Sequence, residues 1–262
     1  MRGTIAEVIA GAATWAAGNC DGFMLARWLG ANAVDHVIGD LPYDEKTHGE
    51  ARSLKHGGSD IPIDFATLPD VATFAPDLIA CSRRWVICFC ALEQLGAYSA
   101  GVPPENWIRS GIWVRTNGTP QISGDRPAQG AEGIAIMHGD GPMRWNRGGF
   151  HGVWKGPTSK GEPRKMHPTK KPLWLMEALV RDFTDPGDLV FDPTMGEGTT
   201  GEACIRLGRR FIGCEIDPRY HAAAVRRLTR AARGGVQQPL LSVDAPPVKR
   251  PRKQASLFAG AK

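Results

Sequence analysis

An α/β fold with a mainly parallel sheet follows from three features of the sequence. Short apolar runs alternate with segments of helical periodicity, several of the runs are apolar on both sides, and a glycine-rich turn joins one such run to a helical segment. At 262 residues, 42% hydrophobic and 8% aromatic, the chain can bury a full core as one large domain or one domain with an insertion.

Taken in order, strands are predicted at ATWAAG (13–18), VDHVIG (34–39), RWVICFC (84–90), GIWVR (111–115), EGIAIMH (132–138), LVFD (189–192) and RFIGCEI (210–216). A helix is predicted where Met176, Leu179, Val180 and Phe183 share one face, and another over 218–232, where Pro218 stands near the first turn. Residues 44–60, 139–166 and everything after Gly234 are polar and rich in Gly, Pro or Lys, and read as loop or disorder. There is no internal repeat.

The net charge of +5 is unevenly laid out. Residues 1–108 hold thirteen acidic against seven basic side chains, 109–181 hold twelve basic against five acidic, and 206–262 hold thirteen basic against three acidic. Two basic segments on a chain with an acidic first part point to a polyanionic partner, and nucleic acid is the natural one. The six cysteines (Cys20, Cys81, Cys88, Cys90, Cys204, Cys214) form no CxxC pair and have no histidine at ligand spacing, so they are expected to be reduced core thiols, with no metal. No apolar run reaches membrane length and the N-terminal segment has no signal-peptide cleavage pattern, so the expected location is cytoplasmic.

FDPTMGEGTTGEAC (191–204) places Gly196, Gly198 and Gly201 after a strand, with Glu215 near the end of the next one. Glycines let the backbone approach a ligand, and a carboxylate at the second strand accepts hydrogen bonds from ribose hydroxyls. Every nucleoside-bearing cofactor makes these demands, so the motif alone does not choose among them. Only about 60 residues follow the turn, too few for the remaining strands of a dinucleotide domain, so those strands must come from earlier in the chain.

HPTKKPLWLMEALVRDFTDPGDLVFDPTMGEGTTGEACIRLGRRFIGCEIDPRY (167–220) closely resembles the C-terminal half of the β-class DNA amino methyltransferases, and DLPY at Asp40 stands ahead of it in that class's order. With a weaker match through GNC (18–20), the resemblance covers about half of the chain. It implies a circularly permuted, Rossmann-like methyltransferase domain with a seven-stranded, mainly parallel sheet, and S-adenosylmethionine as cofactor. Residues 1–138 would be the catalytic half, 139–166 a target-recognition insertion, 167–233 the cofactor half, and 234–262 a basic tail.

Carried over by position, Asp192, Pro193, Thr194 and Met195 with the Gly196 and Gly198 turn should face the methionine part of the cofactor, and Thr199 and Thr200 open the helix. Glu215 should hold the ribose hydroxyls, with Ile216, Asn19 and Cys20 beside the adenine. Asp40 should border the cofactor as well as the base. His167, Thr169 and Lys171 match the family's HPTxKP motif, expected near the cofactor's amino-acid end; for His167 a capping or core role stands beside direct contact.

The amino group of a base is a poor nucleophile because its lone pair is delocalised into the ring. A carboxylate and a backbone carbonyl that accept its two N–H bonds would draw the nitrogen toward tetrahedral geometry. Asp40 and the Leu41 carbonyl are the candidates, with Tyr43 stacking on an extruded base and Pro42 stiffening the turn. The family pattern is DPPY, so Leu41 replaces a proline and the fixed φ angle is lost there. Aspartate at the first position goes with adenine N6, and cytosine N4 is the alternative. Methylation at cytosine carbon needs a nucleophilic thiolate, and no cysteine here follows a proline as in that family.

In the insertion, Arg144, Trp145, Arg147, Phe150, Trp154 and Lys155 interleave bases and rings as a reader of double-stranded DNA would. The loop 44–60, with Gly57 and Gly58, suits a lid closing over DNA. In the tail, Gln254, Leu257 and Phe258 are similar to peptides that dock on the bacterial sliding clamp. A homodimer is expected from the resemblance. An RNA amino methyltransferase and a silent DNA-binding module of the same fold are the other functions open to this sequence.

Overall fold

The computed structural model describes residues 1–41, 70–118, 120–158 and 170–234. Pro42, Tyr43, the 44–60 loop, His167, Thr169 and the tail with Gln254, Leu257 and Phe258 lie outside the described residues.

The central sheet has eight strands in the order β1 (Trp15–Gly18), β8 (Arg210–Cys214), β7 (Leu189–Asp192), β2 (His36–Asp40), β3 (Trp85–Cys90), β5 (Ala131–His138), β4 (Trp107–Arg115), β6 (Val153–Gly156). The first five run parallel to their neighbours, β5 is antiparallel to both β3 and β4, and β6 runs parallel to β4. All seven predicted strands are present at the expected places. The eighth, β6, corrects both the seven-strand expectation and the reading of its segment as loop. Val-Trp-Lys-Gly is too short to show a period, and it pairs through Ile112↔Val153 and Trp113↔Trp154 on the edge of β4.

Helices cover both faces: α1 (Ile5–Ile9), α2 (Gly22–Leu29), α3 (Val71–Cys81) and α4 (Leu95–Ala100) come from the first part, and α5 (Leu173–Phe183), α6 (Thr199–Arg206) and α7 (Pro218–Arg233) from the second. Two buried clusters result. Val37, Leu41, Phe74, Leu78, Tyr98 and Phe191 belong to one; Ile38, Phe89, Trp113, Leu175, Leu179 and Phe211 belong to the other. Neighbouring Val37 and Ile38 fall in opposite clusters, as the period of two along a strand between two apolar layers requires.

The parallel strands bring Gly18, Asp40, Asp192 and Cys214 to one edge of the sheet, because the register pairs Gly18 with Cys214, Asp192 with Gly213 and Asp40 with Phe89. The chain leaves β2 for β3 on one side and leaves β7 for β8 on the other, so the order reverses between β2 and β7. In open α/β sheets a crevice forms at the carboxyl ends of strands where the order reverses. Asp40 and Asp192 end the two strands that flank it.

Candidate active site

The glycine turn begins at Asp192, whose Oδ1 accepts from the Thr194 N–H at 3.1 Å. Its carboxyl is 1% exposed, and burial pushes its pKa up to about 7 against the pull of the Thr200 hydroxyl and the Thr194 N–H. The Thr194 hydroxyl donates to the Asp40 carbonyl at 3.0 Å, tying the two halves of the edge together. Gly196 and Gly198 sit at φ 51° and 80°, and Gly198 caps α6, so a side chain at either would be strained.

Glu215 follows β8 and its carboxylate accepts from the Gly196 N–H at 3.0 Å and the Asp217 N–H at 2.8 Å. Burial raises its pKa while these N–H groups lower it. Asn19, beyond β1, donates from its amide to the Glu215 carbonyl at 2.7 Å and to the Ile216 carbonyl at 3.0 Å. Ile216 is an apolar side chain left 69% exposed beside this bridge, and Cys20 Sγ lies 3.1 Å from Cys214 Sγ. A left-handed glycine turn, an adjoining carboxylate and an uncovered aliphatic side chain fit an adenosine-bearing group. Pro193 and Met195 are buried, as are Thr199 and Thr200, so these four stiffen the turn from inside.

Asp40 keeps 28% of its side chain exposed to the crevice. Crowding by protein pushes its pKa above the ordinary carboxylate range, Lys171 pulls it down, and Glu132 pushes it up. Lys171 Nζ lies 2.8 Å from both Asp40 oxygens and 3.0 Å from Glu132 Oε2. Lys171, expected at the cofactor's amino-acid end, pairs its ammonium with the carboxylate of the DLPY motif. Leu41, where the family has proline, is 2% exposed and packs in the first core cluster, which gives its side chain a structural reason to be there.

A family model described as DNA methylase matches residues 109–226. The Type II methyltransferase M2.LlaDCHI of Lactococcus lactis subsp. cremoris is 26% identical over 253 residues, covering 83% of this chain and 90% of that protein. The solved M1.HpyAVI–SAM complex superposes with a TM-score of 0.60 at 25% identity, covering 82% of this chain and all of that one. The PvuII cytosine-N4-specific DNA methyltransferase gives 0.64 at 15% identity, over 84% and 92%, a likeness of fold. These matches support an S-adenosylmethionine-dependent DNA amino methyltransferase, the family that the sequence motifs resemble.

The methyltransferase's expected DNA readers divide into two kinds. Trp154 is 3% exposed and its indole N–H donates to Asp182 at 2.9 Å, which removes it from a DNA surface: it is a core residue that anchors β6. Trp145 is half-buried against the Phe183 ring at 4.9 Å and Trp154 at 6.4 Å, so it too is held by packing. Arg147 lies 3.4 Å from Asp182 and covers the Phe150 ring at 4.8 Å, and Arg144 pairs with Asp185 at 3.1 Å. Phe150, 60% exposed, and Lys155, also exposed, remain available to a ligand.

Sequence reasoning missed Glu132, Arg115 and Phe89. Glu132 was visible as the lone acid opening an apolar strand, but nothing in the spacing tied it to Asp40. Five buried thiols are poor nucleophiles: burial pushes Cys81 and Cys90 up to about 12, and raises Cys88, Cys204 and Cys214 as well. Among the described residues no helix is long and apolar enough to cross a membrane.

Proposed function

We propose that the methyltransferase modifies the exocyclic amino group of a base turned out of duplex DNA, and that this base is adenine, at N6. The observation that carries the proposal is the place of Asp40: a carboxylate at the reversal point of the sheet, open to the crevice and bonded through its backbone to the turn that follows Asp192. The Asp40 carboxylate and the Leu41 carbonyl accept the two N–H bonds of the amino group and aim its lone pair. Asp40 also stabilises the positive charge that develops on nitrogen and holds the proton until water removes it. On sequence grounds alone we assign Pro42 and Tyr43 to the same motif, Tyr43 to stack on the base.

Bound S-adenosylmethionine supplies an electrophilic methyl group on a positively charged sulfur. We assign Glu215 to its ribose, Ile216, Asn19 and Cys20 to its adenine, and the backbone of 192–198 to its methionine part; His167 and Thr169 stand on sequence grounds alone. We further assign 1–138 to the catalytic half, 139–166 to target recognition, with Phe150 and Lys155 as its free contacts, 167–233 to the cofactor half and 234–262 to a DNA-attracting tail. In the cytoplasm a homodimer, and a clamp contact through Gln254, Leu257 and Phe258, would place the enzyme on DNA; loss of clamp binding on joint Leu257→Ala and Phe258→Ala tests the latter.

The test is transfer of labelled methyl to duplex DNA and to RNA, followed by nucleoside analysis. Label in N6-methyladenine of the duplex supports the proposal. Label in N4-methylcytosine, in RNA only, or in neither would replace it by the cytosine enzyme, the RNA enzyme or the silent binding module.

A further inference from the structure

We propose that Glu132 is a positioning residue for methyl transfer, holding the Lys171 ammonium on Asp40 and so fixing the carboxylate that receives the base. This rests on Asp40 as the amino-group acceptor. The three side chains come from distant segments: the end of β2, the start of β5, and the residue two places before α5. They meet around one nitrogen. Lys171 is 5% exposed at its side chain, its Nζ is 2.8 Å from each Asp40 oxygen and 3.0 Å from Glu132 Oε2, and it stands 5.0 Å over the Phe89 ring.

An ammonium has three N–H bonds. Hydrogen bonds run from it to both Asp40 oxygens, and Glu132 Oε2 forms an ion pair with it at 3.0 Å, so both carboxylates bear on the direction of the group. Glu132 is itself held: its Oε1 lies 3.3 Å from Arg115 Nη1, and Arg115 donates to the Gln129 carbonyl at 2.9 Å. Charges therefore alternate from Arg115 through Glu132 and Lys171 to Asp40. Without Glu132 the cation would lose one of the two carboxylates that share it, bear more heavily on Asp40 and weaken that carboxylate as an acceptor for the base. A carboxylate has about four lone-pair sites, so with Lys171 on two of them others remain for the amino group.

Among the described residues, the groups facing Asp40 are Lys171, Glu132, Asp192 on β7 and Cys90 at the end of β3. Removing the Glu132 charge takes away a neighbour that opposes ionisation of Asp40, whereas removing Lys171 takes away the one that favours it. The acid limb of the rate profile should therefore move to lower pH in Glu132→Gln and to higher pH in Lys171→Met.

The experiment measures methyl transfer to duplex DNA against pH for wild type, Glu132→Gln, Glu132→Asp and Lys171→Met, together with S-adenosylmethionine affinity by calorimetry and melting temperature. Expected for Glu132→Gln is a fall in kcat of about 100-fold with the acid limb displaced downward and cofactor affinity retained, since a small misplacement of a catalytic group costs that much; Glu132→Asp recovers part of kcat. Wild-type kcat and an unmoved limb in Glu132→Gln overturn the proposal. So does a loss of kcat that tracks a lower melting temperature, with an unmoved limb and no recovery in Glu132→Asp. Absence of transfer by the wild type itself would instead overturn the role of Asp40, and this inference with it.

Discussion

At the scale of single residues, two aspartates end adjacent strands and differ in what their surroundings ask of them. Asp192 is buried with hydroxyl and N–H partners and, among the described residues, no cation, and its pKa rises to about 7. In the unfolded chain it would ionise near 3.8. The fold therefore binds the proton over an interval where the unfolded chain does not, and the stability this contributes is full below about 3.8 and lost as pH rises through about 7. The melting temperature of the ligand-free wild type should fall over that interval, and Asp192→Asn should flatten the slope; an unchanged slope in the variant would refute the assignment. Asp40, by contrast, has Lys171 against it and faces the crevice. Leu41 shows that a departure from a family pattern can have two sides: the fixed φ of proline is absent at the acceptor, and the side chain that replaces the ring fills the core.

At the scale of elements, apolar runs located seven strands and periodicity located α5 and α7, because in each the burial pattern is written in consecutive residues. The helices α1 to α4 were not read. α1 is five residues long, and α3 carries Pro76 inside it, held in place by an Asp70 cap and by Phe74, Leu78 and Ile79 in the core. The strand β6 was hidden in a glycine-rich stretch, and with it the burial of Trp154. Rings interleaved with basic residues look the same whether the rings face DNA or the core, and only the partner, here Asp182, separates the two. Trp154→Ala should cost about 3–5 kcal/mol of stability, the range for emptying a buried aromatic site. Phe150→Ala, at an exposed position, should leave the melting temperature nearly unchanged while weakening DNA binding; denaturation curves and anisotropy titrations distinguish the pair.

At the scale of the whole molecule, the cofactor half was the more legible part of the site because its residues are contiguous, from Asp192 to Ile216. The catalytic half joins it through contacts such as Thr194 to Asp40 and Lys171 to Asp40, which span more than a hundred residues and leave no local trace. The excess of basic residues in the second half gives an electrostatic component to DNA binding, so affinity should fall with salt, and Lys155→Ala should reduce the salt slope by about one unit if that side chain meets a phosphate. The most direct measurement of the central claim compares wild type with Asp40→Asn, using labelled S-adenosylmethionine, duplex DNA and nucleoside analysis. Labelled N6-methyladenine from the wild type, reduced by at least about 100-fold in Asp40→Asn at undiminished cofactor affinity, is the expected result; equal labelling by both proteins would contradict it.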